Sequence, residues 1–139
     1  MRSISLTRRQ VQELTTIAID ALPNECCAFL LGNNDSAEKV AAIHPVQNID
    51  QSPVSFSMDP AQVLDIYNHA DNKGMQVTAI FHSHPAKPSP SSTDIRFMQI
   101  NPIVWLIYST TEYQLKAFVY DDDAEMVKEI AILFVDAKE

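Results

Sequence analysis

The spacing of apolar residues along the chain predicts three amphipathic helices. The first begins at Thr7, which can form a capping box with Gln10. The second begins at Asp59, since aspartate is a good N-cap and Pro60 suits the first helical position. A third, shorter helix follows a proline-rich loop and carries Asp94 in its opening turn. The three helices are predicted to end near residues 22, 74 and 100.

Most of the remaining apolar residues fall in short runs that predict β-strands. An unbroken run, such as 77–81, is typical of a buried strand, whereas alternation marks a strand with one exposed face. The last segment, 124–137, fits both states, because apolar residues keep helical spacing while 130–135 also suits a strand. Strands are predicted at residues 1–6, 26–31, 39–44, 54–58, 77–81, 103–109 and 114–120, the last two as a hairpin.

Composition and charge narrow the class of protein. The 139 residues are 46% hydrophobic, which is enough for a buried core, and we predict one domain over residues 1–139. The formal net charge of -8 disfavours nucleic acid and anionic membranes as partners. No apolar run approaches the length of about 18 residues that a membrane span needs. Cys26 and Cys27 are adjacent and cannot join distant segments, which favours a reducing, cytoplasmic setting.

Two histidines follow the apolar run at 77–81. Because side chains alternate along a strand, His82 and His84 point to the same face and can bind one ion. The loop that follows returns Asp94 to a helix start, where the helix dipole favours a carboxylate. Three protein ligands leave a tetrahedral Zn²⁺ with one open position, as in catalytic zinc sites. The spacing therefore favours hydrolysis at zinc, although other divalent ions also fit such ligands.

In their order along the chain, these residues resemble the JAMM (MPN) zinc metalloproteases, in particular the small prokaryotic JAB-type members. That family carries an upstream glutamate, then His-Ser/Thr-His-Pro, a short loop and Ser-x-x-Asp. The matching residues here are Glu25, the run His82-Ser83-His84-Pro85 and the run Ser91-Ser92-Thr93-Asp94. The stretch from Pro23 to Gly32 is similar to the family's Pro-x-Glu-x-Cys-Gly-Leu-Leu-Leu-Gly.

The sequence departs from the family pattern at two places. The loop between His84 and Ser91 is one residue shorter than usual, and choosing Ser92 instead would leave no aspartate in register with Asp94. Ala28 stands where the family usually has glycine, which exchanges one small residue for another. We therefore keep Ser91 and Asp94 as the matching pair.

The resemblance implies a fold, a cofactor and a chemistry. The fold would be an α/β domain with a mixed, curved sheet flanked by helices, similar to the family's deaminase-like fold. Zn²⁺ would be bound by His82, His84 and Asp94, and the pKa of its water would approach about 7. Glu25 would act as the general base, and Ser91 would donate a hydrogen bond to the developing oxyanion.

The resemblance also implies a substrate class. Members of the family cleave amide bonds at the C-terminus of ubiquitin-like proteins. Small bacterial members are similar to those that trim adducts from sulfur-carrier proteins with a Gly-Gly terminus, and the short chain fits this group. A substrate tail is expected to bind extended beside the metal strand by β-augmentation. The resemblance predicts neither the oligomeric state nor the choice between peptide and isopeptide bonds.

Other functions and structural interpretations stay open at this point. A cell-wall or phage-tail-type peptidase usually carries a fused cysteine peptidase domain, which is not expected here, and a silent protein-binding scaffold typically loses its ligand residues. A zinc nucleoside deaminase needs His-x-Glu and Pro-Cys-x-x-Cys, which the sequence lacks. Taken singly, Glu25 could be a solvated acid, Asp94 a first-turn acid and Ser91 a helix cap. His44 and His69 are predicted to be surface residues.

Overall fold

A computed structural model describes residues 3–136 of the chain, which form seven strands and three helices. The strands are β1 (Ser3–Thr7), β2 (Cys27–Asn33), β3 (Val40–Val46), β4 (Met75–His84), β5 (Val104–Ser109), β6 (Gln114–Asp121) and β7 (Met126–Val135). The helices are α1 (Arg8–Ala21), α2 (Pro60–Asn72) and α3 (Ser92–Ile100). No helix among the described residues is both long and apolar enough to cross a membrane.

All seven strands belong to one mixed sheet in the order β1-β7-β6-β5-β4-β2-β3. The β1–β7 and β4–β5 pairs are parallel, and the other neighbours are antiparallel. The sheet curves so far that its two edge regions meet. The Ser5 N–H of β1 donates to the Glu38 carbonyl, just before β3, at 2.8 Å, and Ser5 forms an isolated bridge with Lys39. The predicted α/β class with a mixed, curved sheet is confirmed.

Helices cover both faces of this sheet. On one face α1 buries Leu14 and Ala18 against residues such as Phe81. On the other face Ile66 of α2 and Met98 of α3 belong to a second apolar cluster. The two clusters come from alternate positions of the same strands, since successive side chains point to opposite faces. The central strands are therefore buried on both sides, which explains their unbroken apolar runs.

The helix boundaries follow the capping residues. Thr7 Oγ1 accepts from the Gln10 N–H at 3.1 Å, while the Thr7 N–H donates to Gln10 Oε1 at 2.9 Å, so the predicted capping box is confirmed. Asp59 caps α2 by accepting from the Ala61 N–H at 3.0 Å. After α2, Gly74 adopts a φ of +67°, a conformation that glycine reaches without steric cost.

One segment contradicts its prediction, and a second segment resolves an ambiguous one. The strand predicted at 54–58 is wrong, because this segment is irregular and its hydrogen bonds go to several nearby loop groups, among them the Asn48 side chain. The ambiguous segment after residue 124 is a strand, because β7 pairs with both β6 and β1. Residues 1–2 of the predicted first strand and residue 137 of the last segment lie outside the described residues.

The strand order brings distant parts of the sequence to one end of the sheet. Because β2 runs antiparallel to β4, the start of β2 lies beside the end of β4, with Cys27 opposite His82. On its other edge β4 pairs in parallel with β5, with Ser109 opposite His84. The end of β4, where the predicted site residues lie, is therefore paired on both edges as far as His82.

Candidate metal centre

The two histidines of the His-x-His motif are the last alternate residues of β4. Their rings lie 4.5 Å apart between centroids, so both face the same side of the strand. His82 is fully buried, and its ring is enclosed by Phe56 at 4.8 Å and by Trp105 at 5.8 Å between centroids. His84 is 8% exposed and borders a cleft. The imidazoles are thus held by a buried strand and by the aromatic rings around His82.

Asp94 reaches the histidines from the first turn of α3. Its Oδ2 lies 3.2 Å from His84 Nε2 and 3.5 Å from His82 Nε2. A reciprocal capping box fixes this turn: Ser91 Oγ accepts from the Asp94 N–H at 3.1 Å, and the Ser91 N–H donates to Asp94 Oδ2 at 2.9 Å. One carboxylate therefore stabilises the helix start and faces both imidazoles.

Glu25 approaches the same centre from the start of β2. It is 6% exposed, its Oε1 lies 3.9 Å from His82 Nδ1, and it has a possible ligand atom within 4.8 Å of one on each histidine. The Cys26 N–H beside it donates to Ser83 Oγ of the metal strand at 2.9 Å. The antiparallel β2–β4 pairing thus carries this glutamate to the histidine pair.

Asp94 and His84 shift each other's pKa values. Burial alone would lower the pKa of His84, but the hydrogen bond and negative charge of Asp94 raise it above its ordinary value. Burial alone would raise the pKa of Asp94, but the contact with His84 and the charge of His82 lower it below its ordinary value. The centre therefore favours an ionised carboxylate beside the imidazoles.

The residues present fit a zinc ion. Within residues 3–136, neither ring nitrogen of the buried His82 has a hydrogen-bond partner, although buried polar atoms are nearly always paired. Ligand atoms about 2.0–2.1 Å from a tetrahedral zinc ion lie about 3.3 Å from one another. The distances of 3.2 and 3.5 Å from Asp94 Oδ2 to the two Nε2 atoms match that spacing. Nitrogen and carboxylate oxygen are both ordinary zinc ligands.

A cleft of about 390 Å³ opens beside this centre. One wall is the irregular segment 53–56, and the other is the start of α3, including Ser91 and Phe97. A second, mostly apolar cavity of about 520 Å³ adjoins it and shares Phe56 and Phe97 with it. An extended chain lying in the cleft would therefore pass His84 and reach an apolar surface.

The pairing of β4 differs between its two edges near the histidines. With β5 it continues to His84 opposite Ser109, whereas with β2 it ends at His82 opposite Cys27. That a substrate tail lies extended beside β4 stays a prediction. The cleft between 53–56 and α3 is the open surface next to the centre.

The other residues considered from the sequence lie outside the centre. The rings of His44 and His69 lie 5.1 Å apart on β3 and α2, and both side chains are at least partly exposed. Cys26 and Cys27 are buried in the two apolar clusters, and burial raises the pKa of the Cys27 thiol to about 12. A protonated, packed thiol is a poor metal ligand, so the packing interpretation of the cysteines is supported.

Sequence reasoning missed two residues next to the centre. Phe56 falls in the strand predicted at 54–58, but its ring packs on His82 and lines both the cleft and the apolar cavity. Asn48 lies between two predicted strands and carries no prediction of its own, but its side chain donates to the Glu25 carbonyl at 2.9 Å. Neither residue lies in a motif, so no local pattern in the sequence marks it.

Comparison with known proteins adds independent findings. Residues 7–121 match the family model described as prokaryotic homologs of the JAB domain. The chain is 40% identical over 84 residues to the desampylase of Pyrococcus furiosus, a match that covers 60% of this chain and 58% of that protein. It is 26% identical over 106 residues to the CysO-cysteine peptidase of Mycobacterium tuberculosis, covering 73% and 72%. The matched stretch spans about six-tenths of the desampylase's length.

Solved structures show the same architecture. A Desulfitobacterium hafniense protein solved in solution superposes with a TM-score of 0.82 at 36% identity, covering 98% of this chain and 95% of that one. A JAB1/MPN domain protein from Archaeoglobus fulgidus superposes with a TM-score of 0.57 at 20% identity, covering 96% and 99%. At that lower identity the likeness concerns the fold alone.

Proposed function

Because this chain belongs to the family of prokaryotic homologs of the JAB domain, we propose that it is a zinc-dependent metallopeptidase. Its substrate is a ubiquitin-like or sulfur-carrier protein, cleaved at an amide or isopeptide bond after a C-terminal Gly-Gly. The observation that carries the proposal is the meeting of Glu25 with His82, His84 and Asp94 beside an open cleft. The unpartnered ring nitrogens of His82 support zinc as the missing partner.

His82, His84 and Asp94 would hold the ion through two nitrogens and one oxygen. Zinc, when bound, supplies Lewis-acid chemistry, which makes a water acidic enough to attack at neutral pH and polarises a carbonyl group. No thiolate belongs to the donor set, and three protein ligands are typical of catalytic rather than structural zinc. The donor set therefore supports hydrolysis over a purely structural ion.

Glu25 is the proton carrier in this proposal. Its carboxylate is buried next to the imidazoles, yet it also lines the cleft where the scissile bond would lie. There it takes a proton from the attacking water and transfers it to the leaving amine, so the reaction needs no covalent intermediate. The amine then leaves protonated, and the carrier protein leaves with a free carboxylate.

Ser91 is the oxyanion donor in this proposal. Its Oγ accepts the Asp94 N–H as a helix cap, which leaves the hydroxyl hydrogen free to donate. Ser91 is exposed and lines the cleft, so this hydrogen can reach a carbonyl oxygen that becomes negative in the transition state. The capping and catalytic interpretations of Ser91 are therefore compatible.

The surroundings of the centre support a protein tail as substrate. The cleft beside the centre is open to an extended segment, and the adjoining cavity offers an apolar surface beyond it. The names of similar proteins, desampylase and CysO-cysteine peptidase, support carrier-protein conjugates as the substrate class.

One domain over residues 1–139 and a cytoplasmic location stay predictions from composition and cysteine usage.

The test pairs metal content with cleavage. Purified protein is expected to hold about one zinc ion per chain, and the His82→Ala/His84→Ala variant to hold almost none. A Gly-Gly-terminated carrier joined to cysteine by a peptide bond, and one joined to a lysine side chain, are then incubated with each protein and followed by mass spectrometry. Wild-type protein that stays folded and inert with added zinc would favour a protein-binding scaffold.

A further inference from the structure

We propose that Asn48 is a positioning residue for Glu25, an inference that rests on the proposed hydrolase function. The Asn48 side chain joins the main chain of Glu25 to the segment 48–57, which forms one wall of the cleft. Through this link the general base and the substrate-binding wall are held as one unit.

The Asn48 amide uses its complete hydrogen-bonding capacity. Nδ2 donates to the Glu25 carbonyl at 2.9 Å and to the Ser55 carbonyl at 3.0 Å. Oδ1 accepts the Asp50 N–H and the Ser57 N–H, each at 3.1 Å. An asparagine amide offers two donor hydrogens and two acceptor lone pairs, so none is left for another partner. The side chain therefore fixes four backbone groups relative to one another, and we call this set of four hydrogen bonds the Asn48 joint.

Glu25 needs such a joint because it lies just outside the regular sheet. It lies two residues before Cys27, the first residue of β2, and its backbone N–H and carbonyl bond to the segment after β3. Its N–H donates to the Ser52 carbonyl at 2.8 Å, and its carbonyl accepts from Asn48. The direction of its carboxylate therefore depends on this segment.

The same segment also faces the substrate. Residues 53–56 line the cleft, and the Phe56 ring packs on His82. A shift of the segment would move the cleft wall and the Glu25 backbone together. By contrast, His82 and His84 lie on a strand paired along both edges. Loss of the Asn48 joint should therefore displace the base and leave the metal ligands in place.

The test compares Asn48→Ala, Asn48→Asp and a matched control. Misplacement of a catalytic group by about 1 Å can cost about a hundredfold in rate, so Asn48→Ala is expected to lower kcat by about 10- to 100-fold with a smaller change in KM. Asn48→Asp keeps the acceptor oxygen but loses both donors, so it should lose kcat similarly. Gln10→Ala removes an amide that bonds the Thr7 N–H and the Val40 carbonyl, away from Glu25, and should leave kcat unchanged.

Two further readouts separate positioning from loss of structure. In a Glu25→Ala background, Asn48→Ala should lower the residual kcat no further, because its effect on kcat passes through Glu25, whereas the change in KM from the moved cleft wall persists. The carbonyl ¹³C shift of Glu25 should move in both Asn48 variants and stay fixed in Gln10→Ala, while zinc affinity measured against a chromophoric chelator stays within about twofold.

Specific outcomes overturn the inference. Wild-type kcat in Asn48→Ala, an equal loss in the Glu25→Ala background, or an unmoved Glu25 carbonyl shift would each do so. Failure of the proposed function looks different, because then wild-type protein cleaves no carrier conjugate at all. Even in that case the carbonyl shift still decides whether Asn48 holds Glu25.

Discussion

The two sides of the candidate metal centre are built from different kinds of backbone. His82 and His84 end a strand that is paired on both edges, and Asp94 lies in the capped first turn of a helix. Glu25 lies opposite them, and its own backbone groups bond to the irregular segment between β3 and α2. We call these the ligand side and the base side of the centre.

This difference predicts a division of function between the two sides of the centre. Strand and helix hydrogen bonds form as part of the cooperative core, whereas loop contacts open at lower free energy. The ligand side can therefore hold three donor atoms at fixed spacing, whereas the position of the base side depends on the few hydrogen bonds that Asn48 makes. If this division is correct, metal binding and turnover respond to different substitutions.

The largest expected effect is a loss of turnover on the base side without a loss of zinc on the ligand side. Glu25→Gln keeps the size of the side chain but removes its basicity, so turnover should fall by about 10²- to 10⁴-fold. Zinc content should stay at the wild-type level, because the ligand side is untouched. The measurements are kcat/KM on a carrier conjugate and zinc by mass spectrometry. Loss of zinc in this variant would instead make Glu25 a ligand and remove the division.

A smaller loss is expected at Ser91, which belongs to the ligand side but faces the cleft. Ser91→Ala should lower kcat by about 10²- to 10³-fold through loss of an oxyanion donor. It should also lower the free energy of unfolding by about 1 kcal/mol through loss of the helix cap. Ser91→Thr should restore both properties, and Ser91→Asp only the cap. Full turnover in Ser91→Ala would leave Ser91 with the capping role alone.

Metal removal should act on stability through the ligand side. Zinc at about one hundred times its dissociation constant stabilises the folded state by about 2.7 kcal/mol. For a chain of this size, chelation should then lower the melting temperature by about 5–10 °C. Calorimetry with and without chelator measures this, and His82→Ala should show no zinc-dependent shift. Equal melting temperatures for wild-type protein in both conditions would argue against a specific ion.

The smallest expected effect concerns the wall of the cleft. Phe56→Ala removes a ring that lines both the cleft and the apolar cavity, so KM should rise about tenfold, or about 1.4 kcal/mol. The value of kcat should change less, because Glu25 and its backbone contacts remain. Phe56→Leu, which keeps an apolar wall, should restore most of the affinity. A fall in zinc content would show that the packing of Phe56 on His82 also supports the ligand side.

The fold was predictable where local rules govern it. Capping signals located the starts of α1 and α2, and unbroken apolar runs located the central strands. The prediction failed at 54–58, where alternating residues suggested a strand. Pairing there depends on a neighbouring strand with free backbone groups, whereas the Ser55 carbonyl and the Ser57 N–H bond to the Asn48 side chain instead. Periodicity cannot detect such a competing partner.

The sequence by itself determined which donor atoms this protein offers and how the histidines are arranged. His82 and His84 share a face because strand alternation is a local property, and the cap at Ser91 sets the turn that carries Asp94. Only the tertiary structure decided that Glu25 meets them and that Asn48 and 53–56 complete its side. Those contacts depend on the β2–β4 pairing and on long-range hydrogen bonds, which no local pattern encodes.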